Sequence, residues 1–281
     1  MRKIEFTKMH GIGNDYIYID CFKQDIPDPE HLAKVMSPRR TSVGSDGVIL
    51  ICPSKVADAK MRMFNLDGSE GKMCGNGIRC VGKYIYDTGI AHKETLTVET
   101  LSGIKTLKVT AKDGRAVSLT VDMGEPILTP RDIPVLFDGE RMINEPLEVG
   151  CKEYRITAVS MGNPHAVVFC DNVKDLDLEK IGPEFEFNPI FPEQVNTEFI
   201  RVIDNKTLEM RVWERGSGET FACGTGACAA AVAAVLNGYC QKGEEITVHL
   251  KCGDLNITYA DNSHIYMRGA AEKVYDGVYE L

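Results

Sequence analysis

The chain has 281 residues, of which 43% are hydrophobic and 26% charged, and its net charge is −9. These are the proportions of a globular protein with one large or two medium domains. The lysines and arginines form no cluster, so neither nucleic acid nor a membrane surface is expected as a partner. We expect a cytoplasmic protein, because the N-terminal segment lacks a signal-peptide core and the apolar run 227–236 is too short to cross a bilayer.

The ten cysteines are expected to be reduced thiols, since the chain shows no secretory signal. No CxxC pair occurs, and the closely spaced pairs Cys74/Cys80 and Cys223/Cys228 have no paired histidines nearby. We therefore predict no metal site.

The first part of the chain alternates between strand-like and helix-like segments. Strands are predicted at 3–8, 16–22, 48–52, 59–65, 95–100, 104–111 and 116–123, and helices at 29–36 and 77–88. Residues 124–150 contain four prolines and little periodicity, which is typical of a linker. From Tyr154 the pattern starts again.

The second part repeats the first at a nearly constant offset. Cys74-Gly75-Asn76-Gly77 returns as Cys223-Gly224-Thr225-Gly226, and 223 − 74 = 149. Asn163 follows Asn14 at the same distance, since 163 − 14 = 149. The repeat predicts an α/β (α+β) fold of two pseudo-symmetric halves, each a strand layer wrapped around a central helix. We expect an N-terminal half at 1–120, a C-terminal half at 121–267, and an active site in the cleft between them.

The repeated cysteines are the candidate catalytic groups. A cysteine directly before a helix lies near unpaired amide N–H groups at the positive end of the helix dipole, which is expected to lower its pKa. The same amides form a site for a substrate carboxylate. One cysteine as a thiolate would remove an α-proton while the other, as a thiol, protonates the opposite face.

The residues around these cysteines resemble the diaminopimelate epimerase family over essentially the whole chain. The resemblance rests on these segments: His10-Gly11-Ile12-Gly13-Asn14-Asp15, Phe64-Asn65-Leu66-Asp67-Gly68-Ser69-Glu70, Cys74-Gly75-Asn76-Gly77, Met161-Gly162-Asn163-Pro164-His165, Val195-Asn196-Thr197, Glu214-Arg215-Gly216 and Cys223-Gly224-Thr225-Gly226. It implies an epimerase without a cofactor that interconverts LL- and meso-diaminopimelate, on the route to lysine and peptidoglycan. It also implies a homodimer, and a tail strand at 268–281 that returns to the N-terminal half.

The resemblance also implies the roles of individual residues. Cys74 and Cys223 would be the two acid/base groups, and His165 and Glu214 would help to set their ionisation. The substrate-binding residues it implies are Asn14, Asn65, Gly75, Asn76, Asn163, Asn196, Glu214, Arg215, Gly224 and Thr225. Amides and an arginine suit the non-reacting zwitterionic end of the substrate. One position departs from the family, because Gly47 stands where many members have glutamine.

Three alternatives remain open from the sequence. A proline or hydroxyproline racemase would share the architecture but would leave Arg215 and the asparagines unexplained. A dithiol redox protein would use the same two cysteines, although the absence of CxxC disfavours it. A binding module that has lost catalysis is disfavoured because both cysteines are present. If the two-base interpretation is correct, an oxidant should join Cys74 to Cys223.

Overall fold

The computed structural model describes residues 2–281 and divides the chain into two compact units. Unit 1 extends to Asp122 and also includes Arg268–Leu281, whereas unit 2 is Met123–Met267.

Unit 1 begins with two strands, a helix and three further strands before its longest helix. Its elements are β1 (Lys3–Gly11), β2 (Asn14–Asp20), α1 (Pro29–Met36), β3 (Gly47–Cys52), β4 (Ala59–Asn65), β5 (Glu70–Gly71), α2 (Gly75–Asp87), β6 (Thr95–Thr100), β7 (Gly103–Lys112) and β8 (Arg115–Gly124).

Unit 2 repeats this order after a short leading segment. It contains a 3-10 helix (Pro130–Asp132), β9 (Glu145–Val149), β10 (Lys152–Ser160), β11 (Pro164–Phe169), α3 (Leu178–Glu186), β12 (Asn196–Asp204), β13 (Thr207–Glu214), β14 (Gly218–Glu219), α4 (Gly224–Leu236), β15 (Glu245–Leu250), β16 (Gly253–Tyr259) and β17 (Ile265–Gly269). The last strand of the chain is β18 (Glu272–Glu280).

The strands of the two units pair in the same pattern. In unit 1, β1 and β2 are antiparallel, β2 and β3 parallel, β3 and β4 antiparallel, and β4 and β6 parallel. In unit 2, β10 to β13 and β15 repeat that sequence of pairings. The outer strand also corresponds, because β18 pairs with β1 as β9 pairs with β10. The predicted α/β fold with two pseudo-symmetric halves is therefore confirmed.

Each long helix is surrounded by the strands of its own unit. Helix α2 packs against β1, β2, β4, β6 and β7, and α4 packs against β10–β13, β15 and β16. Residues Ala227–Ala234 of α4 are completely buried, and most of them are alanines. Alanine favours the helix and its small side chain lets the surrounding strands approach closely. The shorter helices α1 and α3 cover the opposite faces of their strands with separate apolar cores.

The predicted linker at 124–150 is wrong. Ile133, Val135, Met142 and Val149 from this segment are buried in the core that also contains Trp213. Its residues 145–149 form strand β9. The prolines made the segment look irregular, yet one of them opens a 3-10 helix, where a proline is well tolerated.

Helix α3 has no counterpart among the predicted elements, although it starts 149 residues after α1 (178 − 29 = 149). Pro183 and Gly182 interrupt its helical pattern. The glycine is required by packing, because a Cβ at Gly182 would lie 2.2 Å from the Trp213 ring. Across residues 2–281, no helix is both long enough and apolar enough to span a membrane.

Candidate active site

The two candidate cysteines occupy the same position in the two units, at the N-caps of α2 and α4. Cys74 and Cys223 have extended backbones, with φ/ψ of −132°/120° and −116°/111°. Each sulfur accepts a hydrogen bond of 3.3 Å from the amide three residues later, which is Gly77 for Cys74 and Gly226 for Cys223. An N-cap side chain that accepts from this amide satisfies one of the N–H donors of the first turn. Each cysteine therefore caps and stabilises the N-terminus of its helix.

In unit 1, the first residues of β2 surround Cys74. The Cys74 sulfur donates to Asn14 Oδ1 at 3.3 Å, and Asn14 Nδ2 donates to Asp46 Oδ2 at 2.7 Å. The buried Tyr16 is also close: burial, followed by the neighbouring Cys74, raises the pKa of its phenol well above the ordinary value. Tyr16 is not among the predicted site residues, because it lies in a predicted strand.

The other predicted binding residues of unit 1 differ in exposure. Asn65 ends β4, and its Nδ2 donates to Ser69 Oγ at 3.0 Å. Asn76 is buried in the first turn of α2, and its Oδ1 accepts from Arg79 Nη2 at 3.0 Å. Arg79 also donates to the carbonyl of Gly75 at 3.0 Å, which secures the first turn of α2.

Gly47 marks the departure from the family pattern, and the backbone gives a reason for it. The φ of Gly47 is +157°, and a Cβ there would lie 2.1 Å from the carbonyl oxygen of Phe64. In this conformation the position leaves no room for a glutamine side chain.

In unit 2, the neighbouring strands β11 and β12 place polar groups side by side. The register aligns His165 of β11 with Asn196 of β12, and Glu198 follows two residues later on the same face. His165 and Glu198 are fully buried, and His165 Nδ1 lies 2.7 Å from Glu198 Oε1. The other ring nitrogen of His165 lies 3.1 Å from Asn163 Oδ1.

Cys223 is surrounded by acidic groups of its own unit. Glu214, the last residue of β13, accepts a hydrogen bond from the Thr220 hydroxyl. Burial raises the pKa of the Glu214 carboxyl, while hydrogen bonds from Thr220 and Cys223 act in the opposite direction. The sulfur of Cys223 also lies 3.5 Å from the hydroxyl of Thr225.

The expectation that the helix N-terminus lowers the pKa is wrong for Cys223. Burial raises the pKa of this thiol well above its ordinary value, and the carboxylates of Glu214 and Glu198 raise it further. The Gly226 amide lowers it, as expected from its position, but this contribution is smaller. Cys223 therefore keeps its proton at neutral pH.

Asn196 and Arg215 are connected through the backbone. Asn196 Nδ2 donates to the carbonyl of Pro164 at 3.0 Å, and its Oδ1 accepts from the Arg215 amide at 2.9 Å. The exposed Arg215 side chain donates to the carbonyl of Glu193 at 2.6 Å. Asn196 thus joins the start of β11 to the turn that carries Arg215.

Glu198 was missed by the sequence analysis, because the run 196–200 looks like an ordinary strand with one acidic residue. Its position directly before the apolar pair Phe199-Ile200 was the available signal. For metal ions the described residues offer little: nowhere in 2–281 do three or more His, Cys, Asp or Glu side chains form a ligand group.

Comparison with known proteins identifies the family of the chain. The family model for diaminopimelate epimerase matches residues 6–129 and 157–274. The chain belongs to the diaminopimelate epimerase family. The diaminopimelate epimerase of Acetivibrio thermocellus is 56% identical over 279 residues, covering 99% of both chains. That of Methanococcus maripaludis is 52% identical over 279 residues, covering 99% of this chain and 100% of the relative.

Solved structures of more distant proteins share the fold of this epimerase family member. A phenazine biosynthesis protein of the PhzF family from Bacillus anthracis has a TM-score of 0.71 at 18% identity, with 100% of both chains covered. A probable proline racemase from Agrobacterium radiobacter has a TM-score of 0.70 at 15% identity, covering 99% of this chain and 92% of the other. At these identities the similarity shows the two-halves fold alone.

Proposed function

We propose that the protein is a cofactor-independent isomerase that interconverts LL-2,6-diaminopimelate and meso-diaminopimelate. Its relatives of 56% and 52% identity over nearly the full chain carry the name diaminopimelate epimerase. This activity places the protein in the biosynthesis of lysine and of peptidoglycan precursors.

The observation that carries the proposal is the repeated N-cap thiol. Cys74 and Cys223 begin helices of 13 residues each, and both sulfurs accept the same type of backbone hydrogen bond. Inversion at an α-carbon requires one base to remove the proton and one acid to supply another on the opposite face. Two duplicated cysteines provide one group for each face.

The chemical environment supports unlike protonation states. Burial and two carboxylates raise the pKa of Cys223, so we assign Cys223 as the proton donor. We assign Cys74 as the base, which acts after losing the proton that its sulfur donates to Asn14 Oδ1. The α-proton then moves to the Cys74 sulfur, and the Cys223 thiol gives its proton to the opposite face. Glu214 and His165 adjust the ionisation of the site.

Binding of the substrate is assigned to backbone and side-chain donors. The first-turn amides at Gly75, Asn76, Gly224 and Thr225 belong to the set that an α-helix does not use in its own hydrogen bonds, so they suit the reacting carboxylate. Asn14, Asn65, Asn163, Asn196 and Arg215 are proposed to hold the distal zwitterion. A substrate with two similar ends must be fixed by the end that does not react.

The test is proton NMR of LL-diaminopimelate in D2O with purified protein, reductant and no added cofactor. We expect the α-proton signal of one centre to disappear while the meso isomer forms. Exchange of proline or hydroxyproline with no change in diaminopimelate would overturn the substrate assignment. If no substrate exchanges, the isomerase assignment itself is wrong.

We further propose that the protein acts in the cytoplasm as a homodimer. Strand β18 exposes Val274, Tyr275 and Val278, which are 56%, 43% and 58% accessible. An apolar strand surface of this kind suits association with a second copy. Analytical ultracentrifugation should give a dimer for the natural chain and a monomer for Val278→Glu; a natural chain that sediments as a monomer would refute it.

A further inference from the structure

We propose that Glu198 is a positioning residue of this site: its hydrogen bond fixes the His165 imidazole, and its carboxylate sets the charge around Cys223. The inference rests on the proposed function, because it concerns how one of the two reacting thiols is controlled.

The location of Glu198 is unusual for a carboxylate. It lies in β12 between β11 and β13, where the residues beside it in register are Val167 and Val212. Its side chain is completely buried. An apolar residue would pack well here, whereas a buried carboxylate is costly unless it is paired, so fold stability alone does not explain it.

The contacts of His165 show what the carboxylate can do. Both ring nitrogens face oxygen atoms, at 2.7 Å for Glu198 Oε1 and 3.1 Å for Asn163 Oδ1. Rotation of the ring would break both contacts, so the imidazole is held in one orientation.

Glu198 also lies close to the reacting sulfur. A Cβ built on Gly226 would be 2.6 Å from Glu198 Oε1 and 3.2 Å from Cys223 Sγ. The carboxylate oxygen and the sulfur are therefore separated by no more than the total of these distances. At such a separation in a buried site, a carboxylate strongly disfavours a second negative charge.

The ionisable groups around Cys223 come from three strands. They are His165 on β11, Glu198 on β12 and Glu214 on β13, with Cys228 further along α4 itself. The buried faces of β10, β15 and β16 carry apolar and hydroxyl side chains, of which only Tyr259 ionises. After burial, Glu214 and Glu198 are the groups that raise the pKa of Cys223 most.

The first test is the pH dependence of Cys223 alkylation by iodoacetamide, followed by peptide mass mapping without substrate. Glu198→Gln keeps the shape and an oxygen acceptor for His165 but removes the charge. The alkylation midpoint is the pH at which Cys223 reacts at half its maximal rate. We expect this midpoint to fall by about one pH unit or more in Glu198→Gln. A midpoint equal to that of the natural protein would overturn the proposal. Glu209→Gln, which removes a carboxylate from the adjacent strand β13, should leave the midpoint unchanged.

A second variant separates charge from position. Glu198→Asp keeps the carboxylate but is one methylene shorter, so it cannot hold His165 at the same distance. We expect a Cys223 midpoint close to that of the natural protein, with kcat lowered about tenfold and KM nearly unchanged. Full activity of Glu198→Asp would contradict the positioning role.

A third test uses the natural protein, so it does not depend on whether the variants fold. In the nitrogen-15 NMR spectrum, we expect a slowly exchanging ring N–H of His165; the averaged signals of a freely rotating, solvated imidazole would overturn it. The two proposals fail in different ways. A wrong function appears as absent α-proton exchange in the natural protein, whereas a wrong role for Glu198 appears as unchanged Cys223 alkylation in an active epimerase.

Discussion

At the scale of single residues, the main feature is the number of acidic groups beside a thiol. Cys223 caps a helix, which favours its thiolate, yet burial and the carboxylates of Glu214 and Glu198 outweigh that effect. A residue in this environment is suited to donating a proton. The arrangement also costs stability, because ionised groups are held away from water.

Glu214 allows this cost to be measured. The pKa of Glu214 is raised in the folded protein. The stability that the protonated carboxyl contributes is therefore fully present below the pKa of the unfolded chain, and it is lost as the pH rises through the pKa of the folded protein. Above the pKa of the folded protein, the charge of Glu214 therefore destabilises the fold. We expect Glu214→Gln to raise Tm by about 2 °C at pH 7.5, and the gain to vanish near pH 4.

The same variant should lose activity, because Glu214 is proposed to adjust the ionisation of the thiols. We expect the rate of α-proton exchange to fall by about 100-fold. Calorimetry at the two pH values and NMR exchange measure both effects. A lower Tm at pH 7.5 would contradict the direction of the pKa shift.

The sequence could suggest individual residues only where their type indicates chemistry. The cysteines, asparagines and Arg215 were identified from motifs, and their roles remain predictions. Tyr16 and Glu198 were missed because each lies within an ordinary strand pattern, and their closeness to a thiol depends on pairing between strands distant in sequence. The pKa of Cys223 was misjudged for the same reason, since the carboxylates come from other strands.

At the scale of elements, the N-termini of α2 and α4 can be compared directly. A Cβ at Gly226 would lie 2.6 Å from Glu198 Oε1, whereas one at Gly77 would lie 2.6 Å from Ile49 Cδ1. The carboxylate oxygen is fixed by His165, but the end of the isoleucine side chain can move.

The two helix starts can be tested with matched alanine variants. We expect Gly226→Ala to lower kcat/KM about tenfold or more and Gly77→Ala less than about threefold, with both proteins folded. Steady-state kinetics and melting curves provide the measurement. Equal losses in the two variants would show that the effect comes from the helix start itself and not from Glu198.

Elements with a clear period were predicted well, and those shaped by packing were not. The helix at 29–36 and the strands at 59–65 and 95–100 have the predicted bounds. Helix α3 contains Pro183, and β9 lies in a segment that contains prolines. Because proline disfavours both helix and strand interiors, neither element was predicted from the sequence. They form because their apolar residues complete the core around Trp213.

At the scale of the whole molecule, the duplication extends further than the motifs indicated. The pairing of β18 with β1 matches that of β9 with β10, and β12 starts 149 residues after β3 (196 − 47 = 149). Gly47 and Asn196 thus occupy equivalent positions, although only one of them has a side chain. Duplication with later divergence explains how similar units carry thiols with different surroundings.

Two thiols that act on opposite faces of one carbon must be able to approach within a few ångströms of each other. We therefore expect diamide, which accepts the two thiol hydrogens, to form a disulfide between Cys74 and Cys223 and to abolish activity. Dithiothreitol should restore it. Peptide mapping identifies the bond, and inactivation with both cysteines still reduced would count against the two-thiol site.

The most direct test of the two-base mechanism is the distribution of deuterium in D2O at low conversion. When LL-diaminopimelate is the substrate, we predict that the meso product carries deuterium at the inverted carbon while the remaining substrate keeps its α-proton. The reaction started from the meso isomer should give the corresponding result. If deuterium enters the recovered substrate as fast as it enters the product, a single base serves both faces and the central claim is wrong.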